Sequence, residues 1–388
     1  MAVLCKNCAG KLIFNPATQK LECQTCGSSF RPEDVEDIHA SKDSRYYDTR
    51  VYTCGHCGAS VITSDTEVST FCVYCGNPAI VFNRISREYR PDGLVPFKIT
   101  REQAISKITK QFLKNPIIPK EIKAKCTPEN LRGIYIPYWI FNADFTEADW
   151  IKARTNQGKS SRTVYCSRAG ETTFRNVPVD GSRILNDDTS RKLEPFYLED
   201  SREFDEDYLN GFYSNTSDLT FRDLKRSASE RCHEMFSEEV LKSVDTRLKD
   251  VKIIDSVYHI GIHDDPVYMM MPVWFFTFMH RGKPYTILVN GQTGKVVGTL
   301  PWENKRVLGI AITVFVFLLI FMGFFFTGLV HNGPVKYFNR MYLSAVAALT
   351  GLSMVVFTKG VIGLKRIFKN LRLTQSEGIF NFVKRRQS

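Results

Sequence analysis

The spacing of apolar positions changes period several times along the chain. Ile105, Ile108 and Phe112 recur at helical intervals behind Thr100-Arg101-Glu102-Gln103, a capping box, and predict a helix there. Leu224, Ala228, Cys232 and Phe236 fall on neighbouring turns and predict a second helix from about Thr220 to Val244. Strands are expected over 134–145, Val251–Ile262, Val273–Phe278 and Tyr285–Val297. Two more are expected at Arg162–Ser167 and Glu171–Val177, joined by a turn containing Gly170. Asn290-Gly291 is a hairpin signal, because both residues tolerate positive φ. Residues 84–300 therefore read as a β-rich α+β domain. Within it Ile136-Pro137-Tyr138-Trp139-Ile140-Phe141 echoes Met271-Pro272-Val273-Trp274-Phe275-Phe276, which reads as two similar edge-to-core strands.

Beyond this domain the pattern loses its polar face. Residues 307–330 contain no charge over 24 positions, and 341–358 none over 18. As helices these runs would be about 36 Å and about 27 Å long, enough to predict a two-helix transmembrane hairpin.

Charge adds an orientation. The net charge is +11, but twelve Lys or Arg and only two acidic residues lie between Pro301 and Ser388, so the body is nearly neutral. Lys305 and Arg306 precede the first run, and Lys359, Lys365, Arg366, Lys369 and Arg372 follow the second. The connection holds only Lys336 and Arg340. The positive-inside rule then predicts a multi-pass protein of the cell membrane with two spans and both termini cytoplasmic. The start, MAVLCKNCAG, shows no secretory signal. Residues 359–388 mix apolar and basic positions and are expected to lie on anionic lipid as an amphipathic tail.

The cysteines carry the chemistry. Cys5-x2-Cys8 is followed after fourteen residues by Cys23-x2-Cys26. Cys54-x2-Cys57 is followed after the same interval by Cys72-x2-Cys75. A CxxC turn aims two thiolates at one ion, and two such turns complete a tetrahedral site. Gly27, Gly58 and Gly76 follow the second Cys of three pairs, where a knuckle needs unusual backbone angles. The expectation is two zinc ribbons, 1–30 and 51–83, separated by a polar linker, 31–50. Their ligands are Cys5, Cys8, Cys23, Cys26, Cys54, Cys57, Cys72 and Cys75, holding two structural Zn2+ ions. Iron in a rubredoxin-like site is the alternative metal. Cys126, Cys166 and Cys232 stand outside any pair and are expected to be buried structural thiols.

Other motifs fail on inspection. Gly291-Gln292-Thr293-Gly294-Lys295 has Val289 and Val296 where a phosphate loop needs Gly and Ser or Thr, and a strand follows it. His263-Asp264-Asp265-Pro266 reads as a loop, and the acidic run from Glu194 to Asp207 as a solvated face. No catalytic or cofactor-binding constellation emerges, so an enzyme is not expected.

The paired ribbons, Pro96-Phe97-Lys98, the Pro-x-Trp strands and the apolar C-terminal pair together resemble a family of bacterial TFIIB-type zinc-ribbon membrane proteins. That family is often likened to the helicase PriA and includes YdjG-type partners of phage-shock-like membrane-stress systems. The resemblance implies a non-enzymatic membrane-anchored adaptor that recruits cytoplasmic proteins, of PspA-like or flotillin-like type, to the membrane. The alternative is a nucleic-acid-binding, transcription-factor-like ribbon protein. Residues 1–83 hold seven basic and nine acidic side chains, and each four-thiolate zinc site adds about −2. That surface would repel phosphate, which argues against nucleic acid.

Overall fold

The computed structural model describes residues 4–35, 45–56, 58–63, 72–74, 80–113, 118–157, 160–182, 187–280 and 283–298. A three-stranded antiparallel sheet is formed by β1 (Leu12–Asn15), β2 (Lys20–Cys23) and β3 (Ser29–Phe30). Among the described residues the other strands join one eleven-stranded sheet. These are β4 (Tyr46–Cys54), β5 (Ser60–Thr63), β6 (Ile80–Tyr89), β7 (Gly93–Leu94), β8 (Leu131–Gln157), β9 (Ser160–Asp180), β10 (Arg202–Glu203), β11 (Tyr213–Ser214), β12 (Lys249–His280), β13 (Lys283–Asn290) and β14 (Val296–Gly298). The helices are α1 (Arg101–Ile108), α2 (Lys120–Lys125), α3 (Asp187–Leu193) and α4 (Phe221–Ser243).

Local signals place the helices. Thr100 and Gln103 exchange side-chain and backbone hydrogen bonds ahead of α1, and Thr220 and Asp223 do the same ahead of α4. The long strands run past the predicted breaks. Residues 168–170 are strand, not turn, because Gly170 pairs with Glu147 inside the β8–β9 ladder. His263 also lies within β12, beside a register shift toward Val267 rather than in a loop.

The two echoing segments are direct neighbours. Met271 pairs with Ile136, Met270 with Pro137 and Tyr135 with Pro272 in the antiparallel β8–β12 ladder. Both are central strands, although proline is normally confined to edges. Each proline carbonyl accepts from a glycine N–H, Gly181 to Pro137 at 2.9 Å and Gly291 to Pro272 at 2.8 Å. The core lies on both faces of this region, around Phe97, Tyr135 and Trp274 on one side and Tyr138, Phe275 and Leu288 on the other.

Past residue 142 the ladder β12–β8–β9 leaves the body as a three-stranded arm. From Phe145 to Ala153 every odd position is buried and every even one exposed. The buried face receives α4, with Phe145, Leu224, Ala228 and Cys232 in one cluster and Ile151, Val240 and Val244 in the next.

Two expectations require correction. The second ribbon is not a separate module. Its strands β4, β5 and β6 extend the large sheet, because Tyr213 and Ser214 bridge β5 to β8. The fold is thus dominated by one large sheet, not by two ribbons, a middle domain and a membrane hairpin. The C-terminal segments expected as two membrane helices and a basic tail, 307–330, 341–358 and 359–388, lie outside the described residues. Among the described residues no helix is long and apolar enough to cross a membrane. The longest, α4, has 23 residues and charged side chains throughout its outer face, so hydrocarbon could not hold it. The transmembrane hairpin, and the two-span membrane localisation built on it, are overturned as features of this fold.

Candidate metal centre

The first ribbon is a β-hairpin flanked by two thiolate knuckles. In the first knuckle Ala9 N–H donates to the Cys5 carbonyl and Cys5 N–H to that of Gly10. In the second, Gly27 N–H donates to the Cys23 carbonyl and Cys23 N–H to that of Ser28. The residue after the second cysteine takes positive φ in each, +54° at Ala9 and +72° at Gly27. Ala9 tolerates a conformation that glycine supplies without cost. The close approach of the knuckles depends on Gly10, since a Cβ there would stand 2.5 Å from Thr25 Oγ1.

The ligand atoms of Cys5, Cys8, Cys23 and Cys26 lie within 4.8 Å of one another. Cys8 Sγ is 3.4 Å from Cys23 Sγ, and Cys5 Sγ is 3.6 Å from Cys26 Sγ. A tetrahedral ion with bonds of about 2.3 Å needs sulfurs about 3.8 Å apart, so these four residues can hold a metal ion after a shift of a few tenths of an ångström. Gly10 N–H and Thr25 N–H each point at a cysteine sulfur from 3.4 Å, the first at Cys8 and the second at Cys23. Such donors stabilise thiolate. The Ser28 hydroxyl, 3.2 Å from Cys26 Sγ, together with the Ser28 N–H, pulls the Cys26 thiol down to about 6. Hydrogen bonding to Cys26 pushes the Cys8 thiol up to about 12.

The site sits where ribbon meets body. Cys5 and Cys23 are buried and Cys8 and Cys26 exposed. Phe14 N–H donates to the Asn210 carbonyl at 3.1 Å, and the Phe14 ring lies 5.0 Å from that of Tyr208. Gln19 Nε2 donates to the Phe97 carbonyl at 2.7 Å. Leu12, Phe14 and Leu21 are buried in the same cluster as Phe97 and Tyr135, so the ribbon shares the core of the sheet.

In the second repeat Cys54 and Cys72 are buried at 2% and 1% exposure, whereas Cys57 and Cys75 lie outside the described residues. The knuckle at Cys54 matches the other two. Gly58 N–H donates to the Cys54 carbonyl, Cys54 N–H to that of Ala59, and Gly58 has φ +68°.

The chain is similar to one curated protein of known sequence. It is 27% identical over 320 residues to the uncharacterized protein YdjG of Bacillus subtilis (strain 168), covering 78% of this chain and 91% of that one. No protein-family model and no solved structure matches.

Of the thiols outside the pairs, Cys126 and Cys232 are buried and Cys166 is half-buried. Asn290 to Lys295 form the turn between β13 and β14, with Asn290 N–H donating to Lys295. Of the acidic side chains in the run from Glu194 to Asp207, only Glu199 and Glu203 are exposed, while Glu194 pairs with Arg231 at 2.5 Å, Asp200 with Lys98 at 2.6 Å, and Asp207 is buried. A second chemical cluster escaped the sequence reading. Glu147 and Asp149 are 3% and 0% exposed on the helix-facing side of the arm. Glu147 meets His233 Nδ1 at 2.9 Å and Ser237 Oγ at 3.3 Å, and Ser256 Oγ donates to Asp149 at 2.5 Å. Its signal was present: two carboxylates occupy buried phases of an alternation that otherwise places Phe145, Ile151 and Ala153 there.

Proposed function

We propose that this chain is a non-enzymatic, zinc-stabilised adaptor whose ribbons and sheet surfaces bind protein partners. The four thiolates of Cys5, Cys8, Cys23 and Cys26 carry the reading. They would fill every position of a tetrahedral ion and leave none for water or substrate, which fits a structural metal and not a catalytic one. The repeated spacing in the second ribbon favours two zinc ions per chain, with Cys54, Cys57, Cys72 and Cys75 as the second ligand set. Iron would serve the same geometry. Partners of PspA-like or flotillin-like type rest on the family resemblance alone. The acidic character of residues 1–83 favours protein over nucleic acid as the ligand of the ribbons.

The test is chemical cross-linking of the full-length chain in cells, with partners identified by mass spectrometry. The parent chain and a Cys23→Ser variant are compared at equal abundance. Loss of one defined set of cross-linked proteins in the variant supports the adaptor. An identical set in both would remove the ribbon from partner binding. Metal analysis of the same preparation should find zinc, while strong visible absorption with bound iron would reassign the metal.

A further inference from the structure

The arm has a second face, opposite α4, and among the described residues nothing covers it. Its rows follow from the register of β12, β8 and β9. Lys249, Arg154 and Thr163 form the outermost row, followed by Lys252, Lys152 and Tyr165. The middle rows are Asp255, Trp150 and Ser167, then Val257, Ala148 and Ala169. The rows nearest the body are His259, Thr146 and Glu171, then Gly261, Asp144 and Thr173. The central rows expose large apolar side chains, Trp150 at 56%, Tyr165 at 62% and Val257 at 72%, with Asp255 beside Trp150. Four cations stand at the tip, where Asp250 engages only Arg154, at 3.4 Å. Two carboxylates stand at the base, Glu171 and Asp144, the latter held by Thr173 at 2.7 Å and His263 at 2.6 Å.

This order is self-complementary. Turned end for end about a two-fold axis between the Trp150 and Ala148 rows, the face sets Arg154 over Asp144 and the Lys152 row over the Glu171 row. Trp150 then lies over the Ala148 row of the second copy, and Val257 over its Asp255 row. A parallel arrangement would stack four cations on four cations. Three strands about 4.8 Å apart and eleven residues long span about 500 Å2 in projection on each copy. Two such faces reach the roughly 1,000 Å2 that a specific interface requires.

We propose that this arm face closes on the same face of a second copy, with the strands of the two arms running antiparallel, as an isologous two-fold interface. Burial of Trp150, Tyr165 and Val257 supplies the attraction. The charge order selects the antiparallel register and disfavours other partners. Two small sheets packed this way form a sandwich with strands near −30°, the usual angle for twisted sheets.

The experiment is mass-resolved sedimentation of the full-length, metal-loaded, reduced chain across a concentration series. A concentration-dependent dimer is expected. Trp150→Lys should weaken it by at least about a hundredfold, since it removes a central anchor. Lys152→Glu should weaken it by about tenfold, and Lys152→Glu combined with Glu171→Lys should restore it to within about threefold of the parent. All three positions are exposed, so the core is untouched. As an independent readout, Val257→Cys should cross-link to itself with a short bismaleimide, and Lys225→Cys on the outer face of α4 should not. A parent chain that stays monomeric at about 100 μM, a dimer indifferent to Trp150→Lys, or a charge swap no better than the single reversal would overturn the proposal.

Discussion

His233 stands on α4 with its Nδ1 2.9 Å from the Glu147 carboxylate, across the seam between helix and arm. The imidazole also stacks on Tyr258, ring centres 4.7 Å apart. Burial is the main reason that Glu147 is pushed up to about 7, and the Asp149 carboxyl beside it adds to the effect. His233 works in the opposite direction. Because the folded state binds this proton more tightly than the unfolded chain, its contribution to stability is complete below about 4.5. It is lost as pH rises through about 7. Glu147→Gln should flatten the stability profile over that window, with a gain on the order of 1–2 kcal/mol at its upper end. Urea unfolding of both proteins from pH 4.5 to 8 measures it, and parallel profiles would refute the assignment.

Removing metal should undo the first ribbon before the large sheet. The ribbon has little core of its own, while β4, β5 and β6 of the second repeat are held by the ladder to β8. Chelation, or Cys23→Ser, should expose residues 4–30 to limited proteolysis while the arm stays protected. Simultaneous loss of both regions would show that the ribbon is integral to the body.

Gly291→Ala tests whether the Gly291–Lys295 turn is structural. A Cβ there would stand 2.6 Å from the Phe97 ring and 2.8 Å from Pro272 Cβ. The expected cost is about 1–3 kcal/mol of stability, from overpacking. Nucleotide should leave the melting temperature of the parent chain unchanged, whereas a shift would reopen the phosphate-loop reading.

Phe97 joins the ribbon to the sheet. Its ring stacks on Phe212 at 4.3 Å and meets Trp274 at 4.9 Å and Tyr135 at 5.1 Å. Phe97→Ala should cost about 3–5 kcal/mol and lower the cooperativity of thermal unfolding as the ribbon loosens. Calorimetry showing one unbroken transition with a loss below about 1 kcal/mol would contradict this packing.

What the sequence determined by itself was local. Thr100 and Thr220 open helices because a hydroxyl and the third following side chain are enough to cap one. The CxxC knuckles close because their hydrogen bonds span only a few residues, and the turn after Asn290 does so too, although its positive φ falls at Gly294 and not at Asn290 or Gly291. The tertiary structure decided which strands meet. Backbone ladders pair any two extended segments alike, so nothing local tells Ile136 to pair with Met271, or Ser214 to fuse the second ribbon to β8. Periodicity fixed which arm residues share a face, but only the docking of α4 decided which face is buried. That choice places Glu147 and Asp149 against His233 and leaves Trp150 and Tyr165 facing outward. The apolar C-terminal runs show the limit from the other side. Hydropathy registers their length and lack of charge, and the described architecture, a large sheet with charged or short helices, contains no membrane-spanning helix.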